Sequence, residues 1–282
     1  MMRDLQRRSI LCPNCRKLVS FDEARCPYCG ISRPGAWWKN NLWTRGFNNS
    51  DQLIRTIIYV NVAMYAISLL LYPQSSTLSL NPLFFLSPGD TSLLVLGATG
   101  TIPIDRFHRW WTIVSASYLH GGILHILFNM AAFRQLAALV IREYGVYRMF
   151  LLYTLGGIVG FLISYLANVR ITIGASAAVC GLVGASLYYG KSRGGIYGRA
   201  IYKQISGWVM FLFIFGLLVP GINNWGHGGG ILAGAAFGFL LGYQEKKKEN
   251  LGHKILAGGC AVLTLSILAW AVFSGIYYRL TG

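Results

Sequence analysis

Apolar residues fall along this chain in seven long runs, separated by short polar stretches and preceded by a polar head. The runs extend from Ile54 to Tyr72, from near Ser117 to Ile141, from Tyr147 to Ala167, from Ile173 to Tyr189, from Ile205 to Pro220, from about Trp225 to Tyr243, and from Ile255 to Tyr278. At about 1.5 Å per residue each is about long enough to cross a hydrocarbon core of roughly 30 Å. A segment in lipid must satisfy its own backbone, so each run predicts a helix. The fourth, fifth and sixth are the shortest, which predicts that these three sit deep in protein. Residues 73–116 are apolar but broken by Pro73, Pro82, Pro88, Gly89, Gly97, Gly100 and Pro103, so they cannot form one spanning helix. They predict a long structured loop, partly immersed in the bilayer, and structured loops of this length are usually functional. Residues 36–53 read as a linker with interfacial Trp37, Trp38 and Trp43.

Composition agrees with that pattern. Of 282 residues 54% are hydrophobic and 12% charged, and the mean hydropathy is +0.49. Soluble domains are about a quarter charged, so a soluble globular enzyme and a disordered chain are both excluded. The net charge of +16 could suggest nucleic acid. However, the head has no interleaved aromatic and basic groove, and topology explains the charge, so nucleic acid is not an expected partner. With the head inside and the spans alternating, 20 Lys and Arg fall inside and four outside; without the head it is still ten against four. This predicts a multi-pass protein of a bacterial inner membrane, with a cytoplasmic N-terminus and the C-terminus outside.

The head carries Cys12-Pro-Asn-Cys15 and Cys26-Pro-Tyr-Cys29, followed by Gly30. Two such turns can present four thiolates as a tetrahedron, the ligand set of structural zinc. Two disulfides would need an oxidising compartment, which the topology denies. The head is too small for a core of its own, so metal would supply its folding energy. It reads as a zinc-ribbon-like unit over residues 1–35.

Polar residues within the runs are few and clustered. The second run holds His120, His125 and Asn129; the fourth opens with Gly174-Ala175-Ser176; the sixth opens with Asn223-Asn-Trp-Gly-His227. All three runs enter from the outside, so a serine, histidines and an amide share one depth. A serine becomes a nucleophile when a base takes its proton, and histidine can do that at neutral pH. The oxyanion then needs donors: a backbone N–H, an amide or a second histidine. No carboxylate lies at that depth, which favours a Ser–His dyad over a triad. Singly, a serine at a helix start also reads as a cap and a membrane histidine as an interfacial residue. Glycines 230, 234, 238 and 242 follow His227 at steps of four, and such faces let membrane helices touch.

At these residues the chain resembles the rhomboid family of intramembrane serine proteases. The matches are His120-x4-His125-Ile-Leu-Phe-Asn129, Gly174-Ala-Ser176 and His227-x2-Gly230-x3-Gly234, in that order, with Trp111 in the loop and Glu143-x-Gly145 after the second run. The resemblance covers about residues 54–243. It implies an all-α multi-pass membrane protein with a six-helix core. Residues 244–282 would add a basic loop and a seventh helix to that core, and the cysteine head would be a further addition to it.

It also implies Ser176 as nucleophile, His227 as general base, an oxyanion hole of the Ser176 N–H, His125 and Asn129, and His120 near a water-filled mouth. The substrates would be transmembrane segments of other proteins in the bilayer. No small-molecule cofactor is implied, and the zinc held by Cys12, Cys15, Cys26 and Cys29 would be structural only. Three positions depart from the family pattern: Ala177 follows the serine where glycine is usual, Cys180 replaces an aromatic, and Thr112 replaces an arginine. The first two keep open a catalytically impaired protein that binds membrane-helix clients. A transporter is a third class, motivated by the histidines and Arg134, but no inverted repeat with two broken spans is visible.

Overall fold

The computed structural model describes residues 9–45, 50–73, 85–219 and 221–281. Residues 1–8, 46–49, 74–84, 220 and 282 lie outside that description, including Pro82 of the long loop and Pro220, the end of the fifth run.

The head is a hairpin of β1 (Ser9–Leu11) and β2 (Leu18–Ser20), with Ile10 opposite Val19. The two Cys-x-x-Cys turns repeat one geometry. Cys12 N–H donates to the Lys17 carbonyl and Cys26 N–H to the Ile31 carbonyl, both at 2.9 Å. Each turn closes on a residue of positive φ, Arg16 at 63° and Gly30 at 73°. That conformation favours glycine, and only the second turn uses it.

After a short helix α1 (Leu42–Arg45) comes α2 (Ser50–Leu71). The segment before the second apolar run is structured, as expected, by α3 (Asp90–Val95), a π-helical turn at Ile102–Arg106 and α4 (Thr112–Ser115). Six long helices follow: α5 (Ile123–Tyr144), α6 (Val146–Leu166), α7 (Ser176–Arg193), α8 (Gly195–Leu218), α9 (Asn224–Leu241) and α10 (Leu251–Thr281). Among the described residues, five helices are long and apolar enough to cross a membrane: α2, α5, α6, α8 and α10. The pair α7 and α9 is not among them, because glycine, alanine and polar residues dilute its apolar content.

Two expectations need correction. The fifth run is neither short nor deep. It extends back to Gly195 as a 24-residue helix and is the least buried of the five, with Met210, Phe211 and Phe213 exposed. Arg199 and Lys203 break its hydropathy but not its helix, since both side chains lie on the surface. The second run starts its helix at Ile123 rather than Ser117, after a 3-10 turn at Ala116–Tyr118 and an extended Leu119.

The centre of the molecule is α7, packed between α6 and α9 through small residues. A Cβ on Gly181 would lie 2.9 Å from Gly156 Cα, and one on Gly230 would lie 2.9 Å from Cys180 Cβ. Gly230 meets Ala177, Gly234 meets Gly181, and Gly238 meets Ala185. Steps of four on one helix therefore meet steps of four on the other, and α7 and α9 run parallel. Backbones this close exclude any side chain between them.

The head docks at the start of α10. Leu251 N–H donates to Asn14 Oδ1 at 3.0 Å, and Lys254 Nζ donates at 2.7 Å to both the Pro13 and Thr44 carbonyls. Pro13 and Asn14 lie between the first two cysteines. Tyr147, at the start of α6, donates its hydroxyl to the Trp43 carbonyl, and Glu249 caps α6 by accepting the N–H groups of Tyr147 and Arg148. Burial raises the Glu249 carboxyl above its usual range, against the pull of those N–H groups.

Candidate active site

The site lies at the other end of α6, where α7 and α9 begin. Ser176 is the first residue of α7, after Ala175. It is therefore not the cap that an isolated serine suggests: no side chain caps this helix. The first intrahelical bond runs from Val179 N–H to the Ala175 carbonyl. The N–H groups of Ser176, Ala177 and Ala178 are left without intrahelical acceptors, at the positive end of an 18-residue helix.

His125 faces the same point. The Gly121 N–H donates to His125 Nδ1 at 3.1 Å. A neutral imidazole that accepts at Nδ1 carries its proton at Nε2. A Cβ placed on Gly174 would lie 2.9 Å from His125 Nε2 and 3.6 Å from Ser176 Oγ. Nε2–H and Oγ thus flank one small space over Gly174. Gly174 also has φ of 125°, so glycine is required twice, by conformation and by that space.

His227 enters through the helix register. His227 stands in the first turn of α9, one turn before Gly230, which meets Ala177 in the first turn of α7. Of its ring nitrogens only Nδ1 is buried without a partner, and among the described residues no carboxylate orients it. Ser176 Oγ is hydrogen-bonded neither to His227 nor to His125 among the described residues. Such bonds are often open before substrate arrives.

The other expected members stand as follows. Asn129 is 8% exposed and uses one amide hydrogen on the His125 carbonyl, at 2.9 Å. His120 lies outside α5 and is fully buried, with both ring nitrogens unpartnered and its ring 5.1 Å from that of His125. Its ring packs edge-on to that of His125 inside the protein. The methyl of Ala177 is 2% exposed and points to α6, where a Cβ on Gly160 would come within 3.0 Å of it. The missing side chain of Gly160 makes its room, so the methyl does not occupy the space over Gly174. Thr112 bonds the Arg109 carbonyl at 2.6 Å and Thr99 Oγ1 at 3.0 Å. It ties the loop internally, where the family's arginine would stand.

Sequence reading missed a set of hydroxyl and amide contacts around the helix starts. Asn223 caps α9, accepting the Gly226 N–H at 2.9 Å, and donates to Ser164 and Thr172. An asparagine just before an apolar helical run was the available signal, and it predicts the cap but not the two side-chain acceptors.

The four head cysteines form the other candidate centre. Their sulfurs lie within 4.8 Å of one another, with Cys12–Cys29 and Cys15–Cys26 at 3.7 Å. Four thiolates about 2.3 Å from one tetrahedral zinc stand about 3.8 Å apart, whereas disulfide sulfurs stand about 2.05 Å apart. The donor set can hold a metal ion.

Comparison with known proteins points to one family. Residues 108–244 match the Rhomboid domain family. The chain is 30% identical over 227 residues to RHOMBOID-like protein 1 of Arabidopsis thaliana, covering 71% of this chain and 57% of that protein. It is 32% identical over 191 residues to Rhomboid protease GluP of Bacillus subtilis, covering 68% and 36%. It is 28% identical over 276 residues to Rhomboid-like protease 3 of Toxoplasma gondii, covering 94% and 90%. The chain thus spans little more than half of the plant relative and about a third of the bacterial one. Relatives in a plant and in Toxoplasma leave a bacterial inner membrane without support, while the apolar helices support an integral membrane protein. The matched region contains His120, His125, Asn129, Ser176 and His227, and together with these relatives it supports placing the chain in the rhomboid family.

Proposed function

We propose that this protein is a rhomboid-type intramembrane serine endopeptidase acting on transmembrane segments of other proteins. The observation that carries the reading is the space over Gly174, which Ser176 Oγ and the Nε2–H of His125 flank at the free N–H end of α7; the parallel packing of α9 on α7 supports His227 as the third member. Ser176 Oγ attacks the scissile carbonyl carbon while His227 takes its proton. The carbonyl oxygen becomes an oxyanion, met by the Ser176 N–H and His125 Nε2–H, with the Asn129 amide beside them. Collapse of the intermediate breaks the C–N bond, and His227 returns the proton to the leaving amine. Water then repeats the sequence on the acyl-enzyme. The deciding test is labelling of the detergent-solubilised protein with a fluorophosphonate. Wild type should label in a His227-dependent way, and a folded wild type that stays unlabelled sinks the reading in favour of the client-binding alternative, which Cys180 and Ala177 motivate.

The oxyanion role makes its own prediction. His125→Ala removes one preorganised donor and should lower kcat by about 10²- to 10³-fold, with little change in KM for a transmembrane reporter. Equal loss in His125→Ala and His125→Phe, with unchanged KM, fits a lost donor; full activity in either removes His125 from the hole.

We read residues 1–35 as a zinc-ribbon-like head, 54–243 as the six-span unit and 244–282 as the basic loop and seventh span, with the head cytoplasmic and the C-terminus outside. The excess of basic residues on one side supports this orientation. The sulfur spacing supports zinc. Purified protein should carry one zinc per chain by elemental analysis, falling towards zero in Cys15→Ser, while fluorophosphonate labelling persists because no catalytic step uses the metal.

A further inference from the structure

Both reacting side chains sit near helix starts, and one amide holds those starts together. Asn223 Oδ1 accepts the Gly226 N–H at 2.9 Å, closing the first turn of α9. Its Nδ2 donates to Ser164 Oγ at 2.7 Å, near the end of α6, and to Thr172 Oγ1 at 3.0 Å, on the segment leading into α7. Ser164 spends its own proton on the Gly160 carbonyl at 2.9 Å, so it offers Asn223 an acceptor. Ser164 is fully buried and Thr172 nearly so, which makes these bonds costly to lose. Thr172 is fixed in turn: it exchanges backbone bonds with Thr99 at 2.7 and 3.0 Å, and Thr99 is bonded through its side chain to Thr112. Along the chain, Asn223 stands four residues before His227, and Thr172 four before Ser176.

We propose that Asn223 is a positioning residue, which fixes the rotation and height of His227 relative to Ser176 by tying α9 to the lead-in of α7. The role rests on the Ser176–His227 reading. A cap alone would need only Oδ1; the two further bonds are what couple the helices. Small-residue packing between α7 and α9 offers no side chain that would lock their rotation, so the tie at their starts supplies it. Misplacement of a reacting group by about 1 Å can lower a rate about 100-fold.

The test is fluorophosphonate inactivation kinetics on the full chain, resolved into kinact and KI, beside thermal melts. Asn223→Ser keeps a good helix cap but loses the reach to Ser164 and Thr172. It should melt within a few degrees of wild type, leave KI unchanged and lower kinact by about 30- to 100-fold. Thr172→Val removes one acceptor while keeping shape, and should lower kinact by about tenfold, with the double variant no slower than Asn223→Ser. A fall in kinact at unchanged KI and melting temperature is one a purely structural role would not produce. Wild-type kinact in folded Asn223→Ser overturns the proposal, and if that variant does not fold, wild-type kinact in Thr172→Val overturns it. A folded wild type that does not label overturns the Ser–His reading and the positioning role with it, whereas labelling of wild type and Asn223→Ser at one rate overturns the positioning role alone.

Discussion

Ser176→Ala should abolish cleavage of a transmembrane reporter in proteoliposomes, with kcat falling on the order of 10⁴-fold or more. His227→Ala should fall nearly as far, and the double variant no further than either alone. Nucleophile and base act as a unit, so their losses do not add. Reporter binding should survive both changes, because neither side chain forms the bulk of a substrate surface. Cleavage retained in Ser176→Ala would end the protease assignment. Multiplying losses in the double variant would end the dyad, because the two groups would then act in separate steps.

The second large effect lies in the packing of α7 against α9. A Cβ on Gly234 would overlap the Gly181 carbonyl and sit 2.8 Å from Gly181 Cα, and one on Gly184 would sit 2.9 Å from Ala235 N. These neighbours are backbone, which cannot turn aside as a side chain can. Gly234→Ala should therefore cost about 3 kcal/mol, at the upper end for overpacking. That corresponds to a fall of roughly 6–12 °C in melting temperature. Gly207→Ala and Gly259→Ala, whose new methyls meet nothing within 4 Å, should stay within about 0.5 kcal/mol of wild type. Equal melts for Gly234→Ala and Gly259→Ala would show that α7 and α9 are not in backbone contact. Activity should fall with stability in Gly234→Ala, because α9 carries His227.

Much of this arrangement was legible in the sequence. Hydropathy located every long helix, and the cysteine spacing located the head. The three polar segments singled out Ser176, His125 and His227, and the fold sets Ser176 and His125 on either side of one space over Gly174. What could not be read is instructive. Hydropathy measures the escape of a residue from water and does not say whether it goes into lipid or protein, so the peripheral α8 was expected in the interior. The full burial of His120 comes from packing, which the polarity of one residue does not report. The accommodation of Ala177 depends on Gly160, an absence of atoms on another helix that no local pattern reports. Asn223 announced its cap but not its reach to Ser164 and Thr172, since side-chain bonds between elements need the elements already packed.

The docking of the head has a consequence in time. Asn14 and the Leu251 N–H that it accepts are 237 residues apart, so a ribosome making roughly 5–20 residues per second needs about 10 to 50 seconds between them. Throughout that interval the cysteine turns are finished while their seat has not been made. The head must therefore fold without its dock, waiting beside a growing set of helices. Its contact with α10 closes only after α2 to α9 have been made, which makes that contact a late step of assembly rather than a nucleus for it.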